Sequence, residues 1–98
     1  MPGRRRSITH FSSGITFHFT FERNDPLGRL HIEYAHGVHP SDAIRTFFDP
    51  QANSTWDDEH ERWERWTGNW LVSFLWMDEP ARRNVLVLTC LHLEGVPE

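Results

Sequence analysis

Residues 14–22 read GITFHFTFE, and this run sets the first limit on the fold. Ile15, Phe17, Phe19 and Phe21 alternate with Thr16, His18, Thr20 and Glu22. A period of two in β-branched and aromatic residues is the pattern of a strand with one buried face. Such a strand needs neighbours on its edges and a layer over its apolar side. Two later runs can supply neighbours. WLVSFLWM (70–77) and NVLVLTCLHL (84–93) have strand length and are joined by the polar turn DEPARR. Both are almost continuously apolar, which places them centrally in a sheet as a hairpin.

The layer must come from the segments between. HPSDAIRTFFDP predicts a short helix. Pro40 suits its first position and Asp42 its first turn, Ala43, Ile44, Phe47 and Phe48 form one apolar face, and Asp49-Pro50 ends it. QANSTWDDEHERWERWTGNW also carries helix signals. Ser54 or Thr55 caps, Asp57, Asp58 and Glu59 load the first turn, and Gly68 stops it. In that reading Asp58–Arg62 and Glu61–Arg65 are ion pairs one turn apart. RLHIEYA (29–35) is open to two readings. As a strand it would pair with residues 15–22 across the turn RNDPLG. As a helix it would be capped by Asp25 with Pro26 at its first position. Local rules lean to the strand, because Gly28 costs a helix about 1 kcal/mol relative to Ala. Residues 1–13 read as a mobile basic leader and residues 94–98 as a tail. The expectation is one α+β domain over 14–93, an antiparallel sheet with two short helices.

Composition narrows the function classes. The 98 residues carry a net charge of −4 with ten arginines and no lysine. A broad basic surface for nucleic acid is therefore not expected. No apolar run reaches the ~20 residues of a membrane span. A single cysteine, Cys90, cannot form an internal disulfide. Together these point to a cytoplasmic protein with no membrane contact.

Candidate chemistry is sparse. His31, His36 and His39 cluster in HIEYAHGVH, but zinc needs three or four converging ligands. Gly37 and Pro40 break the helix that would align His36 with His39, so a structural role is preferred to a metal. His60 lies among acids that can raise its pKa, and the plainer reading is a solvated helix histidine. Arg62 and Arg65 read first as helix ion-pair partners, and Cys90 as an inert core residue. Five tryptophans in so short a chain exceed the needs of a small core. Trp56, Trp63 and Trp66 are candidate binding residues, since exposed Trp with Arg marks interface hot spots and Trp also stacks on bases.

A set of spaced motifs resembles the BrnT-type toxins of the RelE/ParE-like ribonuclease superfamily. Asp25-Pro26 is followed by His36-Gly37-Val38, then PSDA (40–43), then FFDP (47–50). EHERW (59–63) and LVSF (71–74) stand where that family has meander strands. The resemblance implies a helix over 26–35 and a strand over 60–67, the reverse of the local reading. It also implies an RNA endonuclease held by an antitoxin partner, with His36, His60, Arg62 and Arg65 as the catalytic candidates and no cofactor or metal. The departures are specific. Ala35 stands where the family has Lys, and VLVLTCLHLEGVPE lacks both the arginines and the terminal helix of the family's last strand. The other expectation is a non-catalytic protein-binding module, an inhibitor or immunity-type protein, with a Trp-rich acidic surface. In either case a protein partner or self-association is expected, and RNA binding is possible under the first.

Overall fold

The computed structural model describes residues 5–23 and 30–93. Its elements in chain order are β1 (Arg5–Ser12), β2 (Ile15–Glu22), α1 (His31–His36), α2 (Pro40–Phe47), β3 (Asn53–Asp57), β4 (Arg62–Trp66), β5 (Trp70–Trp76) and β6 (Asn84–His92). All six strands form one sheet in the order β1-β2-β6-β5-β4-β3. β2 and β6 run parallel and every other neighbour pair is antiparallel. The sheet is thus mixed, where a purely antiparallel one was expected. The reason is the long excursion through both helices and the meander, which returns the chain to β2 in the same direction. β5 and β6 occupy the centre, as their continuous apolar character predicts. Among the described residues no helix is long and apolar enough to cross a membrane. The tail 94–98 and the proposed cap at Asp25-Pro26 lie outside the described residues.

Three segments differ from the local reading. Residues 5–12, expected within a leader, form an edge strand paired along its whole length with β2. Residues 31–36 are helix rather than strand. With β1 on one edge of β2 and β6 on the other, no edge remains for a hairpin partner at 29–34. Residues 53–66 are a hairpin rather than a helix. The acidic run there makes the turn: Asp57 Oδ1 accepts from the amides of Glu59 (3.1 Å) and His60 (3.3 Å). Glu61 completes it at φ 54°.

The helices are held by local chemistry. Gly37 closes α1 in the left-handed region at φ 66°, its amide bonding Glu33 O and that of Val38 bonding Ile32 O. Only glycine enters that region without strain. His39 caps α2: its Nδ1 accepts from the Ser41 amide at 3.2 Å, and Asp42 Oδ2 accepts from the His39 amide at 3.2 Å. This reciprocal pair satisfies two of the helix's orphan donors.

Both helices bury residues in a single core. Phe19 and Phe21 of β2, Val85, Val87 and Cys90 of β6, and Val72 and Phe74 of β5 meet Leu30, Ile32, Val38, Ala43, Ile44 and Phe47. Val87 and Cys90 are three apart, yet both face the core. A bulge makes this possible: Thr89 pairs with Ser73 and Val87 with Phe74, leaving Leu88 as the extra residue. Phe47 is the joint between layers. Its ring lies edge-on to Phe19 at 5.1 Å, Phe74 at 4.9 Å and Trp76 at 5.6 Å. Phe47→Ala is expected to lower unfolding free energy by about 3–5 kcal/mol, measured as a shift of the urea midpoint with unchanged slope.

Candidate functional site

The structure does not gather the four catalytic candidates. Arg62 and Arg65 are three apart on a strand, so they project from opposite faces of the sheet. His36 ends α1, exposed, with its ring 5.1 Å from that of His31. His60 sits in the β3–β4 turn, where its Nδ1 is 2.8 Å from Asp57 Oδ2. The helical ion pairs Asp58–Arg62 and Glu61–Arg65 do not form, because this segment is a hairpin. Arg62 pairs instead with Glu64 at 3.5 Å, on the face away from the helices.

Arg65 has a structural task. Its Nε donates to Phe47 O, its Nη2 to Asp49 O at 2.8 Å, and its Nη1 to Ser54 Oγ at 2.8 Å. Phe47 closes α2, whose last carbonyls have no partner within the helix, and Asp49 follows two residues later, its carbonyl also taking the Ala52 amide at 3.0 Å. A guanidinium from the sheet fills that need with a fixed fork of donors. The group is thereby committed to the fold.

Beside it lies a cup of 440 Å³, where α2 ends over the sheet. Phe17, Phe47, Trp63, Phe74 and Trp76 supply its aromatic walls, and Ser54, Arg65 and Arg82 its polar rim. Arg82 lies over the Trp76 ring at 5.8 Å, and its Nε donates to Glu79 at 3.1 Å. Among the described residues no carboxylate, imidazole or thiol lines this cup. Its shape and rim suit a flat ring or an anion, and its described lining residues include no group that moves a proton near neutral pH. Trp63 was expected as a binding residue and is in the wall. Trp56 stands across from it on β3, rings 5.5 Å apart, and is 45 % exposed. Trp66, 39 % exposed, projects from the other face. The helix reading of residues 55–67 concealed this arrangement, because the cup depends on cross-strand pairs such as Trp63 with Phe74 and Ser54 with Arg65.

Asp57, Glu59 and His60 each place one potential ligand atom within 4.8 Å of the others. The tight turn creates that convergence. His31, His36 and His39 do not gather as a ligand set: His39 is spent on the α2 cap. Cys90 is fully buried, and desolvation, aided by Asp42 and opposed by Arg45, pushes its thiol up to about 12. It is no nucleophile.

Two carboxyls titrate below their ordinary value of 3.8. Asp57 is lowered chiefly by the hydrogen bond from the His60 ring. At Asp78 desolvation pushes upward, but hydrogen bonds from Asn84 and from the Arg83 amide outweigh it. Those bonds, from the Asn84 amide (2.7 Å), Asn84 Nδ2 (2.9 Å) and the Arg83 amide (3.0 Å), pin the β5–β6 connection.

Comparison with known proteins returns no match among protein-family models, curated proteins or solved structures.

Two expectations follow from this geometry. Arg65→Ala removes the donor to Phe47 O at the end of α2 and one of two to Asp49 O and lowers stability by about 2–3 kcal/mol, while Arg65→Lys recovers only part, as denaturant titration will show. Asp57 and Asp78 have depressed folded pKa values, so their stabilisation is present above 3.8 and is lost as pH falls through the folded values. Unfolding midpoints should therefore drop on acidification below 3.8, and less steeply in an Asp57→Asn/Asp78→Asn variant.

Proposed function

We propose that this chain is a degenerate relative of the BrnT-type toxins, with the toxin-like scaffold retained and the ribonuclease centre lost. The order of elements carries the reading. From β2 onward, a strand leads to a helix stopped at His36-Gly37-Val38, then to a second helix ending before Asp49-Pro50, then to a strand meander. This is the order implied by the motifs that resemble the family.

Loss of the nuclease centre follows from the side chains. RNA cleavage needs a proton acceptor, a proton donor and cations around one phosphate. Here Arg62 and Arg65 lie on opposite faces, Arg65 is consumed by the end of α2, and among the described residues the aromatic cup has no acid or base. The net charge of −4 also opposes general RNA affinity. What the surface retains is a capacity to bind protein. Exposed Trp56 and Trp66 flank the β3–β4 hairpin from its two faces, a composition that anchors interfaces. The working role is thus to engage a protein partner, an antitoxin or an equivalent target.

The test is direct. Purified chain incubated with total RNA should give no cleavage above a buffer control, and its expression should leave growth unchanged. Cleavage abolished by Arg62→Ala or His36→Ala, in variants that still fold, would restore the nuclease reading and refute the degenerate one.

A further inference from the structure

The helices lie on one face of the sheet only. α1 packs against β6, and α2 against β4 and β5. The cup and a groove of 670 Å³ between β1 and α2 open on that side. Among the described residues no helix crosses the opposite face. A sheet face left to water is usually polar, and this one is not. Alternation places Leu71, Leu75, Leu86 and Leu91 there, back to back with core residues such as Val72 and Cys90. Trp66 continues the patch across β4, and Phe11 stands on the same face at the β1 edge, 69 % exposed. Ser73, between Leu71 and Leu75, is fully buried, so even the polar residue at the centre shows no hydroxyl to water. Contiguous apolar surface of this kind marks an interface.

The charges on this face say what covers it. Arg62 and Glu64 stand two residues apart on β4. Within one chain they match poorly. Arg62 Nη2 reaches Glu64 Oε2 only at 3.5 Å, at the long limit of a hydrogen bond. The buried Arg62 Nε has no acceptor among the described residues. Asp57, opposite Arg62 in register, gives its oxygens to the His60 ring and the turn amides. A cation and an anion at alternate positions of one strand face are, as a pair, their own complement. A two-fold axis passing between them and across the strand lays Arg62 of one copy over Glu64 of the other, and the reverse. Stacked sheets lie about 10 Å apart, a gap that the two side chains together span. Elsewhere on the face Arg5 pairs with Glu22 at 3.1 Å. The face therefore carries little net charge in a chain of −4, and two copies do not repel across it.

We infer that the chain forms a two-fold dimer by stacking this face on the same face of a second copy. The leucines and Trp66 are buried between the two sheets, and Arg62 of each copy pairs with Glu64 of the other. The product is a β-sandwich with the helices outside, its sheets aligned as packed sheets usually are. The area suffices. Six strands about 4.8 Å apart, over about six residues of roughly 3.3 Å each, make a face of roughly 600 Å². Two such faces remove roughly 1,200 Å² from water, above the ~1,000 Å² expected of a specific interface. The inference does not depend on the toxin-like reading, because it concerns the state of the free chain.

Sedimentation equilibrium of the full chain should return the mass of two copies. Arg62→Glu and Glu64→Arg each lay like charges over one another, and each should weaken the dimer roughly tenfold or more. Mixing the two variants restores opposite charges across the axis. The equimolar mixture should therefore sediment as a dimer, and native mass spectrometry should identify it as the heterodimer. The double variant Arg62→Glu/Glu64→Arg should dimerise as the parent does. Circular dichroism checks that each variant folds. Should a single reversal fail to fold, Trp66→Arg, at an exposed position of the same face, takes its place and should likewise yield a monomer. The inference is overturned by a parent chain that stays monomeric at its highest soluble concentration, which leaves the face to a different partner. It is also overturned by a dimer that survives the reversals or Trp66→Arg, or by folded reversal variants whose mixture stays monomeric.

Discussion

Phe47 ends α2 with its ring edge-on to Phe19, Phe74 and Trp76, and one residue later Phe48 reaches Phe17 and His10. These contacts tie the helix to β1, β2 and β5 at one place. Everything of interest on this side of the sheet is laid out around them. The cup opens beneath the end of α2, the groove runs along its flank toward β1, and Arg65 fastens its final carbonyls from β4. Aromatic edge-to-face packing contributes beyond simple area burial and is directional. It therefore fixes where α2 lies as well as holding it down.

Much of this was legible in the sequence wherever one local rule acted alone. The alternation of Ile15 to Phe21, the helix start with Pro40 first and Asp42 in its first turn, and the stop at Asp49-Pro50 each match what forms. Legibility failed where two signals competed. Residues 55–67 have helix-type charge placement, yet Trp56 and Trp63 gain more by packing across a hairpin than along a helix surface. The acids at 57–59 then serve a turn instead of a helix start. Residues 31–36 alternate like a strand, but their place beside β2 is already taken by β1 and β6. That competition is tertiary and leaves no trace in the segment itself. β1 was obscured by its arginines, which mark an edge as readily as they mark a solvated leader.

The candidate site was less legible than the fold, for a related reason. Reading Arg62 and Arg65 as a helical pair made them neighbours; on a strand they are separated by the sheet. Side-chain type alone pointed to a basic centre, whereas position makes Arg65 a clamp on a helix end and Arg62 a partner of Glu64. The aromatic residues moved the other way. Trp63, read as a binding residue, and Phe74 and Trp76, in an apolar central strand, all pack against the core, and their arrangement leaves a concave wall beside two guanidinium groups. The extra residue at Leu88 has a similar hidden effect. It switches the parity of β6 so that Val87 and Cys90 can both face inward, which a strict period of two forbids.

The parallel register of β2 with β6 carries a consequence for how the chain reaches this state. Phe19 finds Val85 as its neighbour only after the helices and the meander have been traversed. Contacts between such distant residues close large loops and slow the search for the native topology. During synthesis β1 and β2 can form their hairpin early, but the inner edge of β2 stays open until β6 emerges. For that interval the most apolar strand of the first half displays an unpaired flank, and a nascent chain in that condition is prone to capture by other chains.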